Sequence, residues 1–245
     1  MEYYLALISF FAALIFSLGG VGAAIILIPV MHALGIPLSI AKPVGLFYNT
    51  VSLMGASINN IKNKRLDFKL GVPIITFSFL FAIIGAYSSQ YIPSQVVLLL
   101  FICFLVFSGL MFLFFKTKNE SDFREDIPYV GLSIIGAFAG LLSGLLGVGG
   151  GGIISPLLLI MGFNPKKITT ITAFVVPFSS LSGFLTYWSI GAVDWKLLII
   201  TSIAGVAGAT IGNIIMQNQL KPKTVKKILA IILLIMAIKM GLKLF

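Results

Sequence analysis

The stretch Gly147-Val148-Gly149-Gly150-Gly151-Gly152-Ile153-Ile154-Ser155-Pro156 interrupts an apolar segment that covers about residues 128–161. As one helix, this segment would measure about 50 Å at about 1.5 Å per residue, whereas the hydrocarbon core of a membrane is about 30 Å thick. Four consecutive glycines exceed what a helix-packing face requires, and they weaken a helix. The stretch therefore predicts two half-helices joined by a break.

The composition around this stretch is that of a membrane protein. Of 245 residues, 59% are hydrophobic and 10% are charged, whereas soluble domains have about 45–50% apolar and about 25% charged residues. At about 20 residues per span, the chain can supply roughly eight spans and no extramembrane domain. We therefore expect an all-α polytopic protein that crosses the cell membrane several times, with the lipid bilayer as its main partner.

The formal net charge of +10 comes from basic residues in the short gaps between apolar runs. The positive-inside rule expects them there, so we exclude nucleic acid as a partner. The chain has one cysteine and one histidine, which rules out a disulfide framework and a multi-histidine metal site. We expect no cofactor and no metal site.

The chain repeats itself at a constant offset of 127 positions. Such a repeat indicates two halves with one architecture. We expect a first membrane repeat over residues 1–115, a cytoplasmic linker over 116–126 and a second repeat over 127–245. The equivalent residues include Gly20 and Gly147, Gly22 and Gly149, Pro29 and Pro156, Ser52 and Ser179, and Asp67 and Asp194.

Each half contains four apolar segments, of which the first is too long for a single span. Glycines divide this first segment in both halves. If its two half-helices form a hairpin that enters and leaves on one side, each half crosses the membrane three times and the halves are inverted. The segments cover about residues 3–34, 39–61, 70–90 and 94–115, then 128–161, 167–190, 196–217 and 224–244.

The loop charges favour this inverted arrangement. The gap over residues 62–69 carries four basic residues, whereas its counterpart over 189–196 carries only Lys196. The gap over residues 90–94 carries no basic residue, whereas its counterpart over 217–227 carries four. A basic bias that alternates between equivalent loops is typical of inverted repeats. The basic clusters expected in the cytoplasm are 62–69, 116–124, 166–167 and 221–227.

A broken helix in each half favours a transporter whose binding site lies where the breaks meet. The half-helix after the second break would offer backbone N–H groups and a partial positive charge, which suit an anion. The alternative is that the glycines only allow close helix packing, which we prefer for the scattered glycines. The glycines predicted to bind substrate are Gly20, Gly22, Gly147, Gly149, Gly150, Gly151 and Gly152.

The second break resembles a motif of the TauE/SafE family of membrane transporters. The family pattern GxGGGxxxxPxL is satisfied from Gly147 through Pro156 to Leu158, and Thr169-Thr170-Ile-Thr172-Ala extends the match. The first half is a degenerate copy, because Ala23 and Ala24 stand where the pattern has glycine. The resemblance implies export of sulfite, sulfonate or a related small sulfur-containing anion across the plasma membrane.

Further candidates for substrate binding are the hydroxyl and amide side chains of the second segment in each half. We favour Asn49, Ser52, Thr172 and Ser179 over the other donors there, which are Thr50, Asn59, Asn60, Thr169, Thr170, Ser180 and Ser182. Each could instead make an interhelical hydrogen bond. His32 could touch an anion or carry a proton, or be a structural residue. Lys42 lies near a segment end, where we expect its side chain to snorkel to the membrane surface or to recruit anions at the mouth of the path. We expect the repeated Asp67 and Asp194 to cap the third segment of each half.

None of the seven acidic residues falls inside an apolar segment. A cation path or a proton relay usually has a carboxylate within the membrane, so the chain suits an anion path better. A divalent metal-ion permease and a non-transporting membrane scaffold remain as alternatives, whereas no residue set indicates an enzyme. The oligomeric state is left open, with a homodimer as one possibility.

Overall fold

The protein is known here from a computed structural model, which describes residues 2–16, 21–114, 123–191, 193–219 and 222–244. Within these ranges every regular element is an α-helix, which confirms the all-α prediction. The helices are α1 (Glu2–Phe16), α2 (Ala24–Ala33), α3 (Leu38–Lys62), α4 (Phe68–Ser88), α5 (Ser94–Phe114), α6 (Tyr129–Leu146), α7 (Gly151–Ile160), α8 (Pro165–Ser189), α9 (Trp195–Gln219) and α10 (Pro222–Leu244).

The first segment of each half is broken as the glycines predict. Helix α6 ends at Leu146, and Gly147, Gly149 and Gly150 follow with φ values of +82°, +80° and +65°. Only glycine adopts this left-handed backbone region without strain. In the first half Gly22 has a φ of +86° just before α2, whereas Gly20 lies outside the described residues.

Helices α6 and α7 fold back on each other as a hairpin. The backbone N–H of Arg124, ahead of α6, donates to the carbonyl oxygen of Gly162, beyond α7, at 2.9 Å. A Cβ added at Gly131 in the first turn of α6 would lie 2.9 Å from Cε of Met161. The two outer ends of the pair are therefore neighbours. A helix of 10 residues, such as α7, also reaches only about 15 Å and cannot cross a membrane alone.

Helices α4 and α6 pack in parallel through a row of small residues. An added Cβ at Gly136, Gly140 or Gly144 of α6 would collide with the carbonyl oxygen of Ile74, Ser78 or Ala82 of α4, respectively. The constant offset along both helices makes them parallel, and the spacing of four keeps the glycines on one face. The packing role predicted for the scattered glycines is confirmed in this way at Gly85, Gly109, Gly136, Gly205 and Gly208.

Helices α3 and α8 cross the centre of the bundle in opposite directions. The Thr50 hydroxyl donates to the Pro177 carbonyl at 3.5 Å, and the Ser57 hydroxyl donates to the Ala173 carbonyl at 2.6 Å. Residue numbers rise along one helix as they fall along the other, so the two helices are antiparallel. Thr50 and Pro177 are also equivalent positions of the repeat, since 177 − 50 = 127.

The remaining pairings follow the repeat. Helix α4 packs on α6 as α9 packs on α1, and α4 packs on α8 as α9 packs on α3. Exchanging the two halves therefore reproduces the pattern of contacts.

Among the described residues, five helices are long and apolar enough to cross a membrane, at 68–88, 94–114, 129–146, 167–189 and 195–212. Large apolar side chains on their outer surfaces are exposed, for example Leu80 and Ile84 of α4, as expected where lipid is the solvent. Helix α3 is as long, but its polar residues lower its hydropathy. Those buried inside the bundle are Lys42, Asn49, Thr50, Ser52 and Ser57. The chain is a multi-pass membrane protein.

Residues from three of the predicted basic clusters, 62–69, 116–124 and 166–167, lie at one end of the bundle. Nζ of Lys167, at the start of α8, lies 3.8 Å from a carboxylate oxygen of Asp67, at the start of α4. Arg124 reaches the same end through its backbone bond to Gly162. We call this the basic end. Most of the linker, residues 115–122, and Lys221 lie outside the described residues.

The capping prediction is half correct. An Asp194 carboxylate oxygen accepts a hydrogen bond from the Leu197 N–H at 3.0 Å and so caps α9. Asp67 makes no cap bond at α4. The prediction is wrong there, because the Asp67 carboxylate faces the Lys167 ammonium instead.

Candidate functional site

The two helix breaks meet inside the bundle. An added Cβ at Gly151, the first residue of α7, would collide with the carbonyl oxygen of Val21 in the first break. Both residues are buried. Only a glycine at position 151 allows the two breaks to touch, and the breaks therefore form one site in the tertiary structure.

Asn49 of α3 joins the two breaks through both ends of its side-chain amide. Its Nδ2 donates to the Val148 carbonyl at 2.8 Å, and its Oδ1 accepts from the Ala24 N–H at 2.9 Å. Flipping the amide would break both bonds, so this orientation is determined. Gly22 and Gly149 lie directly against it, since a Cβ at either would come within 2.8 Å or 2.5 Å of the amide.

The second break lacks the cap that Asn49 gives to the first. The position equivalent to Asn49 is Val176, whose methyl groups lie 3.0 Å from the Cβ positions of Gly149 and Gly151. Valine cannot accept a hydrogen bond, and α7 has no side-chain cap. The Gly151 N–H turns back to the Gly149 carbonyl at 2.7 Å instead. The positive end of α7 is thus without a polar side chain of its own.

Ser180 of α8 brings an unpaired hydroxyl to the second break. It is 0% exposed, and its Oγ has no hydrogen-bond partner. A Cβ at Gly149 would lie 2.6 Å from that Oγ. A buried hydroxyl without a partner costs free energy, which makes Ser180 a candidate donor for a ligand at this break. Ser180 lies one helical turn beyond Val176. The sequence offers it as one of several possible donors of this segment and favours its neighbour Ser179 over it.

The other predicted hydroxyls are satisfied by protein groups. The Ser52 hydroxyl donates to the Asn49 carbonyl at 3.4 Å and the Ser179 hydroxyl to the Val176 carbonyl at 3.1 Å, both within their own helices. Thr172 donates to the Ile168 carbonyl at 2.7 Å and lies 3.1 Å from the Ser155 hydroxyl. Thr172 therefore links α8 to α7 at Ser155, in the second turn of α7.

The remaining candidates lie around the centre formed by Asn49, Gly149 and Ser180. Gly152 packs against the Phe104 ring, Gly147 ends α6, and Gly150 begins α7. His32 lies in the last turn of α2, and its Nδ1 is buried without a hydrogen-bond partner. The structure thus brings Gly22, Gly149, Gly151 and Asn49 together and sets His32 apart.

Lys42 does not snorkel, and that prediction is wrong. Its side chain is only 5% exposed. A Cβ at Gly147 would lie 2.7 Å from the Lys42 Cα, so the lysine backbone packs closely against the second break. Helix packing holds the stem of this lysine inside the protein.

The site contains no metal-ligand set among the residues that the structure describes. Asp67, Glu125, Asp126 and Asp194 all precede helices and lie outside the spans. Outside the membrane, Nη2 of Arg124 donates to Asp126 at 2.7 Å, and this bond lowers the pKa of the Asp126 carboxyl. The described residues at the breaks therefore offer neutral hydrogen-bond groups and helix termini, with Lys42 packed against the second break, and this chemistry suits anion binding.

Comparisons with known proteins connect the chain to a family of membrane transporters. The family model described as "Sulfite exporter TauE/SafE" matches residues 5–240. Probable membrane transporter protein MJ0441 of Methanocaldococcus jannaschii is 25% identical, covering 96% of this chain and 94% of its own length. Probable membrane transporter protein YunE of Bacillus subtilis is 26% identical over 94% of each chain. Sulfite exporter TauE/SafE family protein 6 of Arabidopsis thaliana is 32% identical over 41% of this chain and 24% of its own length. The match spans both halves and both helix breaks, and the chain belongs to the TauE/SafE family of membrane transporters.

Proposed function

We propose that this protein is a secondary transporter or facilitator that exports a small sulfur-containing anion, such as sulfite or a sulfonate, by alternating access. The contact between the two breaks is the observation that carries this proposal. There the uncapped positive end of α7, the unpaired Ser180 hydroxyl and the Asn49 amide converge on Gly149. Backbone N–H groups and hydroxyls recognise oxyanions without a carboxylate or a metal.

The relation between the halves supports the alternating-access part of the proposal. Two equivalent helices, α3 and α8, are antiparallel and touch at the equivalent residues Thr50 and Pro177. A two-fold axis that reverses helix direction lies in the membrane plane, so we propose inverted repeats. Inverted halves can exchange conformations, which would open the same central site to either side of the membrane in turn.

Tight packing at the breaks supports a closed state between these two. A methyl group at Gly149 would come within 2.6 Å of both the Asn49 amide and the Ser180 hydroxyl. An anion would need these groups to separate, and rocking one half against the other would separate them.

The test is anion flux into liposomes that contain the purified protein. The variant Gly149→Ala places a methyl group on Asn49 and Ser180. The matched control is Gly35→Ala, because Gly35 has a similar φ of +88° but nothing within 4 Å of an added Cβ. Both changes carry the same backbone strain. We expect saturable flux of sulfite or a sulfonate that Gly149→Ala abolishes and Gly35→Ala preserves.

If neither anion moves in the wild-type protein, or if both variants transport equally, the breaks are not the transport site. Flux of divalent metal ions in the same liposomes would favour the permease alternative. Absence of any flux would favour the scaffold alternative.

A further inference from the structure

Lys42 is a cation buried in the membrane protein with only neutral partners. It lies in the second turn of α3 and is 5% exposed. Its Nζ donates to the Ser89 hydroxyl at the end of α4 and lies 5.7 Å from the centre of the Tyr187 ring of α8. Ser89 and Tyr187 are buried as well. A hydroxyl and an aromatic ring stabilise an ammonium only in part.

No carboxylate compensates this charge among the described residues. The ion pairs there join Arg124 to Asp126 and Lys167 to Asp67, both at the basic end. Lys42 lies near the start of α3, whereas the basic cluster over residues 62–69 follows the end of α3, so Lys42 is at the opposite end of the bundle. An ammonium held in this way in an apolar interior lacks a counter-ion.

Lys42 packs against the second helix break. Cα of Lys42 would lie 2.7 Å from a Cβ at Gly147. The Tyr187 hydroxyl donates to the carbonyl of Gly144, in the last turn of α6, at 3.0 Å. Both contacts join the lysine cluster to the end of α6, just before the uncapped N-terminus of α7. An anion at the break would find Lys42 at the side of the site that faces away from the basic end.

We propose that Lys42 is the fixed positive charge of the transport path and that it selects monovalent anions. The anion supplies the missing counter-ion, and the Lys42 ammonium then donates to the anion instead of to the Ser89 hydroxyl. One lysine balances one negative charge, whereas a dianion would leave an uncompensated charge in a medium of low dielectric. This inference rests on the proposed function. It adds the charge of the substrate and names Lys42 as the residue that selects for that charge.

The experiment compares the wild-type protein with Lys42→Met, Lys42→Arg and Lys69→Met. Lys69→Met is the matched control, because it also removes one positive charge but at an exposed position. Methanesulfonate serves as the monovalent probe and sulfate as the divalent probe. We expect wild-type flux to favour methanesulfonate, Lys42→Met to lower it by at least about tenfold, as for one lost charge-assisted hydrogen bond, and the control to preserve it. Lys42→Arg keeps the charge and should retain part of the flux.

A second readout separates binding from structure. In detergent without anion, we expect Lys42→Met to have an unchanged or higher Tm, because it removes a buried charge that has no counter-ion. We also expect methanesulfonate to raise the Tm of the wild type and not of Lys42→Met. A lower Tm for Lys42→Met without anion would indicate a merely structural lysine and overturn the inference.

The two proposals can fail separately. If the wild type transports methanesulfonate and Lys42→Met does so equally well, the inference about Lys42 falls and the transport function stands. If no anion is transported but methanesulfonate still raises the Tm through Lys42, the transport function falls and the binding role of Lys42 stands.

Discussion

At the scale of single residues, the site depends on how each polar atom is satisfied. Asn49 uses both ends of its amide to join the two breaks, whereas Ser180 keeps its hydroxyl unpaired beside Gly149. A residue of the first kind stabilises the fold. A residue of the second kind costs stability in the absence of a ligand. The two kinds therefore respond differently to substitution.

We expect Asn49→Ala to lower the free energy of unfolding by about 2–4 kcal/mol, because the Val148 carbonyl and the Ala24 N–H would both lose their partner. Ser52→Ala is the control, since the long Ser52 bond stays within its own helix, and it should change stability by less than about 0.5 kcal/mol. Thermal unfolding in detergent measures both. If both substitutions changed the stability equally, the proposed stabilising role of the Asn49 bridge would be contradicted.

We expect Ser180→Ala to leave the Tm unchanged or raised while it lowers anion flux. The hydroxyl makes no bond that the fold would lose. Ser179→Ala serves for comparison, because that neighbouring hydroxyl already donates to the Val176 carbonyl and should not affect flux. Flux assays in liposomes and unfolding in detergent give the two readouts. Unchanged flux in Ser180→Ala would remove Ser180 from the site.

At the scale of helices, small residues determine which helices can touch. Gly136, Gly140 and Gly144 bring the α6 backbone onto α4, and lipid-embedded helices use such contacts since burial from water is not available to them. The scattered glycines were predicted to pack in this way from the sequence. Their partners on α4 could not be predicted, because several helices of this chain carry small residues.

We expect Gly140→Ala to destabilise the protein by about 1–3 kcal/mol, since the added methyl group would collide with the Ser78 backbone. Gly55→Ala is the matched change, because Gly55 also lies within a helix but has nothing within 4 Å of an added Cβ. That variant should gain up to about 1 kcal/mol from its higher helix propensity. Opposite shifts in Tm are the expected outcome, and a stable Gly140→Ala would contradict the close α4–α6 contact.

At the scale of the whole molecule, the basic end and the hairpin define a topology that can be tested. Lys69 and Lys167 lie at the basic end, whereas Tyr91 lies between α4 and α5 at the other end. In a background with Cys103→Ser, we expect a membrane-impermeant thiol reagent to label Tyr91→Cys on intact cells. We expect Lys69→Cys and Lys167→Cys to react only after the membrane is permeabilised. Labelling of all three from outside would contradict the inverted repeat and the orientation.

The sequence by itself determined the properties that depend on local composition. Hydropathy indicated the membrane, the constant offset of 127 indicated two equivalent halves, and the glycine runs located both helix breaks, because backbone conformation follows from the residues at the break. The resemblance of the second break to a family motif also identified the family.

Only the tertiary structure decided which side chains meet. Asn49 and Val148 are 99 positions apart, Ser180 reaches Gly149 through the packing of α8 on α7, and Lys42 is buried because α4 and α8 enclose it. Burial and hydrogen-bond partners depend on how helices pack, and no local pattern in the chain specifies them.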